Sequence, residues 1–470
     1  MELLQLLIGE ESLMRKKNKI YALLAVLVVV CILTVIVSNQ EEKKESIQTS
    51  GEVVLEIPTD EVTSVSWTDS NQTLSFTKND DMWTYDDDIT FPVNATKIEK
   101  LLSIFESFSS TFVIDDVTDY SQYGLDDPTC TITINTSDTT YTIKLGDYST
   151  MDSERYVDIG DGKVYLAASD PYENYNVQLS TLVQNDDIPV IKTVSNITFS
   201  GTENYTITKD TDKTSICEDD KYYTGDNALD TDLVDTYVNT VKNLALSEYA
   251  TYNASDEEIQ EYGMDNPDLT ITMTYQTKDS TDDEELVLHV SSNAEEKEAY
   301  DEAVENGDDT KPSVTRYVRV GDSQIVYVIS ETKYNDLTAV SYDTLRHQKI
   351  FTGDTDLITS MNITLDGTDY TFTKDGDTWK YNDEEIDTDT LISDIKSLSA
   401  SSFTTDTTSN QKEVSITLNL NNENYPTVKI DLYRYDGTSC VAYVDEAPLA
   451  YVKRSDAVNI IEAINKIVLN

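Results

Sequence analysis

The sequence predicts an α+β protein: an N-terminal transmembrane helix followed by three tandem repeats, each an antiparallel β-sheet with helices packed on one face. Three observations carry this reading. An uncharged apolar run occupies residues 20–37. Apolar and polar residues alternate in three equivalent stretches that open at Val62, Val194 and Ile358. After each stretch the apolar spacing changes from two to three and four, the period of a helix lying on a core.

The apolar run, IYALLAVLVVVCILTVIV from Ile20 to Val37, has eighteen residues and no charge, enough to span the hydrocarbon core of a bilayer. Arg15, Lys16, Lys17 and Lys19 precede it. That basic flank places residues 1–19 in the cytoplasm as a short lead and everything after the span outside it. A cleaved signal peptide is the rival reading. Its apolar region is shorter and ends in small residues, whereas Val35-Ile36-Val37-Ser38 makes a poor cleavage site, so an uncleaved anchor is preferred. Cys31 is a poor lipoprotein cysteine, because Val28-Val29-Val30 lacks the small residue such a site prefers. Met14 is an alternative start. Residues 38–61 read as a linker.

The three modules are assigned to 62–192, 193–352 and 353–470. Each opens with a hairpin in which one face is apolar: Val65/Trp67 with Leu74/Phe76, Ile197/Phe199 with Tyr205/Ile207, and Met361/Ile363 with Tyr370/Phe372. Trp83 and Trp379 end a third short strand in two copies. A helix follows, with Asn94, Asp230 and Asp387 as N-caps or nearby start signals. Its apolar stripe is Ile98, Leu101, Leu102, Phe105 and Phe108 in the first copy. In the second it is Leu233, Tyr237, Val241 and Leu244, and in the third Leu391, Ile395 and Leu398. Two further hairpins come next, the last beginning at Arg155, Arg316 and Cys440, and a helical stretch closes each copy. Module 2 carries a charged insertion at 291–313, read as a solvated, partly helical excursion.

Between helix and second hairpin, modules 1 and 2 share a hexapeptide: Tyr123-Gly124-Leu125-Asp126-Asp127-Pro128 and Tyr262-Gly263-Met264-Asp265-Asn266-Pro267. Two acidic loops invite an ion-site reading. The context favours a structural turn. Ser255 and Glu258 have capping-box spacing for a short helix, Gly263 falls at a left-handed helix stop, Met264 supplies the apolar contact beyond it, and Pro267 blocks further helix. Module 3 lacks the hexapeptide.

Charge and chemistry narrow the function. With 34 basic against 88 acidic residues the formal charge is −54, which makes nucleic acid a poor partner. Only two histidines occur, His289 and His347, so histidine catalysis or a His-rich metal site is not expected. Cys130, Cys217 and Cys440 match no zinc or redox spacing and read as buried free thiols, with one disulfide and one leftover thiol as the alternative. No phosphate loop or Gly-x-Ser-x-Gly occurs, and neither Asp86-Asp87-Asp88 nor Asp282-Asp283-Glu284-Glu285 fits a twelve-residue calcium loop. Hence no catalytic residue, no cofactor and no metal ligand is expected.

The order of features resembles an uncharacterised bacterial family, domain of unknown function 4340. The residues that carry the resemblance are the basic-flanked anchor, Trp83–Tyr85, the turn at 123–128, the Gly160–Asp161 hairpin and the Leu-Arg-x-x-Lys-Ile run at 345–350. The resemblance implies a protein of the bacterial cytoplasmic membrane, often encoded beside ABC transporters of the gliding-motility type, and it brings no catalytic residues. The resulting expectation is a single-pass extracytoplasmic binding or scaffold protein, an accessory of an ABC-transporter-type envelope complex with a transporter or envelope protein as partner. A cell-surface carbohydrate-active enzyme and a cation-dependent adhesin are the alternatives.

Overall fold

The computed structural model describes residues 51–80, 82–408 and 410–469. The expected anchor at 20–37, the lead before it and Cys31 lie outside the described residues. Among the described residues no helix is long and apolar enough to cross a membrane. The chain divides after Asn185 into two compact units. The first holds the first sheet, and the second holds the other two.

Three nine-stranded antiparallel sheets follow one another along the chain. In module 2 the order across the sheet is Asn227–Leu229, Tyr222–Thr224, Tyr205–Lys209, Ile191–Gly201, Leu269–Thr277, Glu284–Ser292, Arg316–Val320, Val326–Ile329 and Tyr249–Thr251. Module 3 repeats this order strand for strand, from Glu384–Ile386 at one edge to Ala400–Phe403 at the other. Module 1 lacks the counterpart of Asn227–Leu229 and gains a strand at the opposite edge, Glu52–Leu55, which pairs with Phe108–Ile114. Residues 52–55, expected as linker, form this strand. They belong to the first sheet because the strand beside them would otherwise present an unpaired edge.

The opening hairpins pair the alternating residues directly across the ladder. Val65 faces Phe76 and Trp67 faces Leu74. Ile197 faces Ile207 and Phe199 faces Tyr205. Met361 faces Phe372 and Ile363 faces Tyr370. All of these are buried except Tyr205 and Tyr370, which are half-buried. Each buried large side chain contributes roughly 1.5–3 kcal/mol relative to exposure. Trp67 stacks on Phe76 with ring centroids 5.5 Å apart and meets Tyr175 edge-on at 5.4 Å.

The helices start where the caps allow. Asn94 caps α1 (Ala95–Ser103) by accepting from the Lys97 amide, and Asp230 caps α2 (Thr231–Lys242) by accepting from Asp232 and Leu233. Ser255 and Glu258 form a complete capping box on α3 (Asp256–Glu261). The insertion folds as α4 (Ala294–Asn306), capped by Asn293. Its first two residues, Ser291 and Ser292, are the buried end of a strand, so the excursion begins at 293. Further along, α5 (Glu331–Thr338) packs on α2 and on the strands Glu284–Ser292 and Arg316–Val320. In module 3, α6 (Asp389–Ser397) is preceded by Thr388, whose side chain makes no cap bond. Asp387 is the nearby start signal: from one residue outside the cap position it accepts from the Asp389 amide. The chain ends in α7 (Arg454–Val468), which packs on α6 and on three strands of its sheet.

The stripe residue Phe108 is not helical. α1 stops at Ser103, Phe105 is buried in the turn, and Phe108 opens a strand that runs to the last hairpin of the module. Equivalent strands follow α2 and α6. Cys130 and Cys440 are buried free thiols, and Cys217 is a free thiol at intermediate exposure.

Candidate functional site

Gly263, Asp265, Asn266 and Pro267 of the second hexapeptide line one wall of a cleft of about 820 Å³ in module 2. The backbone explains the hexapeptide first. Gly263 stands at φ +67°, and Gly124 in module 1 at φ +68°. In module 2 the Gly263 amide donates to the Gln260 carbonyl and the Met264 amide donates back to Ile259, the pair of bonds that closes a helix on a left-handed residue. In module 1 Gly124 donates to Ser121 and Leu125 to Tyr120. Leu125 and Met264 are buried beyond the glycine, while Asp126, Asp127, Asp265 and Asn266 are exposed. Tyr123 packs on Tyr156 at 5.0 Å, and Tyr262 packs on Tyr317 at 4.7 Å. A Cβ on Gly263 would lie 2.7 Å from the Ser292 carbonyl oxygen, and one on Gly124 would lie 2.8 Å from the Asp147 amide nitrogen. Pro128 and Pro267 stand two residues before the central strands that begin at Cys130 and Leu269.

The insertion helix α4 forms the facing wall, with Lys297, Glu298, Asp301, Glu302 and Glu305. Between the walls sits Asp268. Its carboxylate accepts from Ser292 Oγ at 2.6 Å and from Tyr334 OH at 2.8 Å, and it pairs with Lys297 Nζ. Arg316 donates to Ser292 Oγ and lies 4.2 Å over the Tyr334 ring. Burial pushes the Asp268 pKa up, but hydrogen bonds from Lys297, Ser292 and Tyr334 outweigh it and hold the group below the usual carboxylate value. A carboxylate held charged in this way suits anchoring of donors and not proton donation.

The strand registers show that this position recurs. Leu269 pairs with Gly201, Cys130 with Asp69 and Val414 with Leu365, so Asp268, Thr129 and Glu413 are equivalent. In module 1, Thr129 Oγ1 donates to the Gly146 carbonyl, which also accepts from Arg155 Nη1 at 2.6 Å. Arg155 pairs with Asp170 at 2.7 Å and lies 4.9 Å over Tyr172. In module 3, Glu413 is paired with Arg434 at 2.5 Å and Arg454 at 3.0 Å, and Cys440 Sγ lies 3.5 Å away. Burial again raises the Glu413 pKa, and the two arginines and Cys440 bring it below the usual value. In module 3 a smaller groove of about 460 Å³ lies between the segment around Tyr381–Leu391 and the end of α7.

A second constellation escaped the sequence reading. Cys217, Asp220 and His347 bring their donor atoms within 4.8 Å of one another. The signal was invisible in spacing because His347 lies far along the chain from the other two. His289 is apart from it, half-buried with Nδ1 3.1 Å from Thr270 Oγ1. Burial, reinforced by Arg319, lowers the His289 pKa.

The family model described as Domain of unknown function (DUF4340) matches residues 83–267 and 228–418. No curated protein and no solved structure matches the chain.

Proposed function

The chain belongs to the DUF4340 family, and from that premise we propose an extracytoplasmic binding or scaffold protein held at the membrane by residues 20–37. In this reading it is an accessory component of an ABC-transporter-type envelope complex. The observation that carries the binding reading is the module 2 cleft. It is built where an inserted helix, α4, faces the repeated turn, so one copy of a common scaffold carries a recess of ligand-sized volume. Asp301 and Glu302 are exposed on its wall, so a partner with a basic surface fits it.

Mild crosslinking of the full-length protein in native membranes, followed by affinity purification, tests this. Transporter or envelope subunits are expected with the wild type, and their recovery is expected to fall about tenfold with Asp301→Lys/Glu302→Lys. Recovery of the protein alone overturns the scaffold reading. Equal recovery of a partner with the charge-reversed variant overturns the cleft as the binding surface.

A further inference from the structure

We propose that Cys217, Asp220 and His347 form a binding site for a divalent transition-metal ion of the zinc class. The inference is independent of what the cleft binds. A thiol, a carboxylate and an imidazole are the three donor types that zinc takes, and here they come from two distant stretches of chain.

The fold brings them together through bonds that do not involve the donors. The Asp230 amide donates to the Leu345 carbonyl, which lays residues 345–347 beside the start of α2. Thr231 Oγ1 donates to the Asp219 carbonyl and accepts from the Lys221 amide, which ties the 217–221 loop to the same helix end. Within the loop the Asp220 amide donates to the Cys217 carbonyl at 3.1 Å, so Cys217 and Asp220 share one turn. The Asp220 side chain is buried, His347 is largely buried, and Cys217 is half-exposed, leaving an entry path from solvent.

The surroundings match a metal site at the next level too. Asp220 Oδ2 accepts from Ser215 Oγ at 2.5 Å, which orients the carboxylate. His347 Nε2 lies 2.7 Å from Asp220 Oδ1, and Nδ1 lies 3.4 Å from Asp230 Oδ2. An ion bound about 2.0–2.3 Å from each donor needs neighbouring donors about 3.3–3.7 Å apart, so Nε2 and Oδ1 separate by about 0.6–1 Å to admit it. Asp230 then stays behind the imidazole and holds its outward N–H, as carboxylates do behind zinc-bound histidine. Three protein donors leave a fourth position for water. Bound there, the ion joins the 217–220 turn to the strap that leads from module 2 into module 3.

The test uses the full-length protein in detergent, stripped with chelator and titrated with zinc or cobalt chloride. The expected result is one tightly bound equivalent, a raised melting temperature, and a thiolate-to-cobalt charge-transfer band in the near ultraviolet. Cys217→Ser removes that band, and His347→Gln removes the tight equivalent. Asp230→Asn keeps a helix-capping side chain and weakens affinity about 10–100-fold. Absence of the band in the wild type, or tight binding unchanged in both Cys217→Ser and His347→Gln, overturns the site. The wild-type cobalt spectrum decides the matter even where a variant fails to fold.

Discussion

Modules 2 and 3 place a carboxylate at the same register position and surround it differently. Glu413 is buried against two arginines supplied by its own sheet and the start of α7. Asp268 is held by two neutral hydroxyls and one lysine, and that lysine comes from the inserted helix. One node is built from elements that every module has. The other leans on an insertion and opens to a cleft. The comparison teaches that the scaffold fixes where a polar group stands at the head of the central strand, while the neighbouring elements decide whether it is internal bracing or a surface.

The largest effect should come from the turn that modules 1 and 2 share and module 3 lacks. Gly124→Val or Gly263→Val forces a β-branched residue into a left-handed conformation and against backbone atoms. A loss of about 3 kcal/mol is expected, read by denaturant unfolding. A loss below about 1 kcal/mol in both would mean that the turn is dispensable, as it is in module 3.

Next comes the node itself. Glu413→Ala removes the shared partner of two arginines and should cost about 2 kcal/mol. Asp268→Ala should cost about 1 kcal/mol, because one cation and not two loses its partner. Equal losses would remove the distinction between the two nodes.

Acid unfolding sharpens the same comparison. Both carboxylates are held below their ordinary values. Each therefore contributes stability that is fully present above its ordinary carboxylate value and is lost as the pH falls through the lower folded value. Melting temperature followed over this range should show a shallower acid limb in Asp268→Asn/Glu413→Gln than in the wild type. Parallel limbs would mean that neither group is linked to folding. The smallest effect belongs to Asp127→Asn. Its side chain is exposed, so stability should stay within about 0.5 kcal/mol and be unaltered by calcium.

The parts of the fold legible in the sequence were those set by local pattern. Alternation at Val65/Trp67, Ile197/Phe199 and Met361/Ile363 carries the α+β class and the three repeated sheets, because one buried face dictates period two. Asn94, Asp230 and Ser255 could be read because a cap acts within three residues. What escaped depends on distance along the chain. Phe108 stands at helical spacing from Phe105, and only its pairing with the last hairpin makes it a strand. Residues 52–55 look like linker until the edge they cover is known. The cleft arises because α4 meets a turn encoded some thirty residues earlier, and no local spacing joins Cys217 to His347.

The strands that follow α2 and α6 lie at a sheet edge beside a strand made much later, since Tyr249–Thr251 pairs with Val326–Ile329 and Ala400–Phe403 with Ala447–Lys453. A growing chain therefore cannot complete either of these sheets early. Until the last hairpin of module 2 or 3 is synthesised, its edge strand has no partner and stays exposed to misassociation with a neighbouring copy of the same design. Three sheets of similar strand order in one chain make mispairing between modules the characteristic folding hazard of this protein.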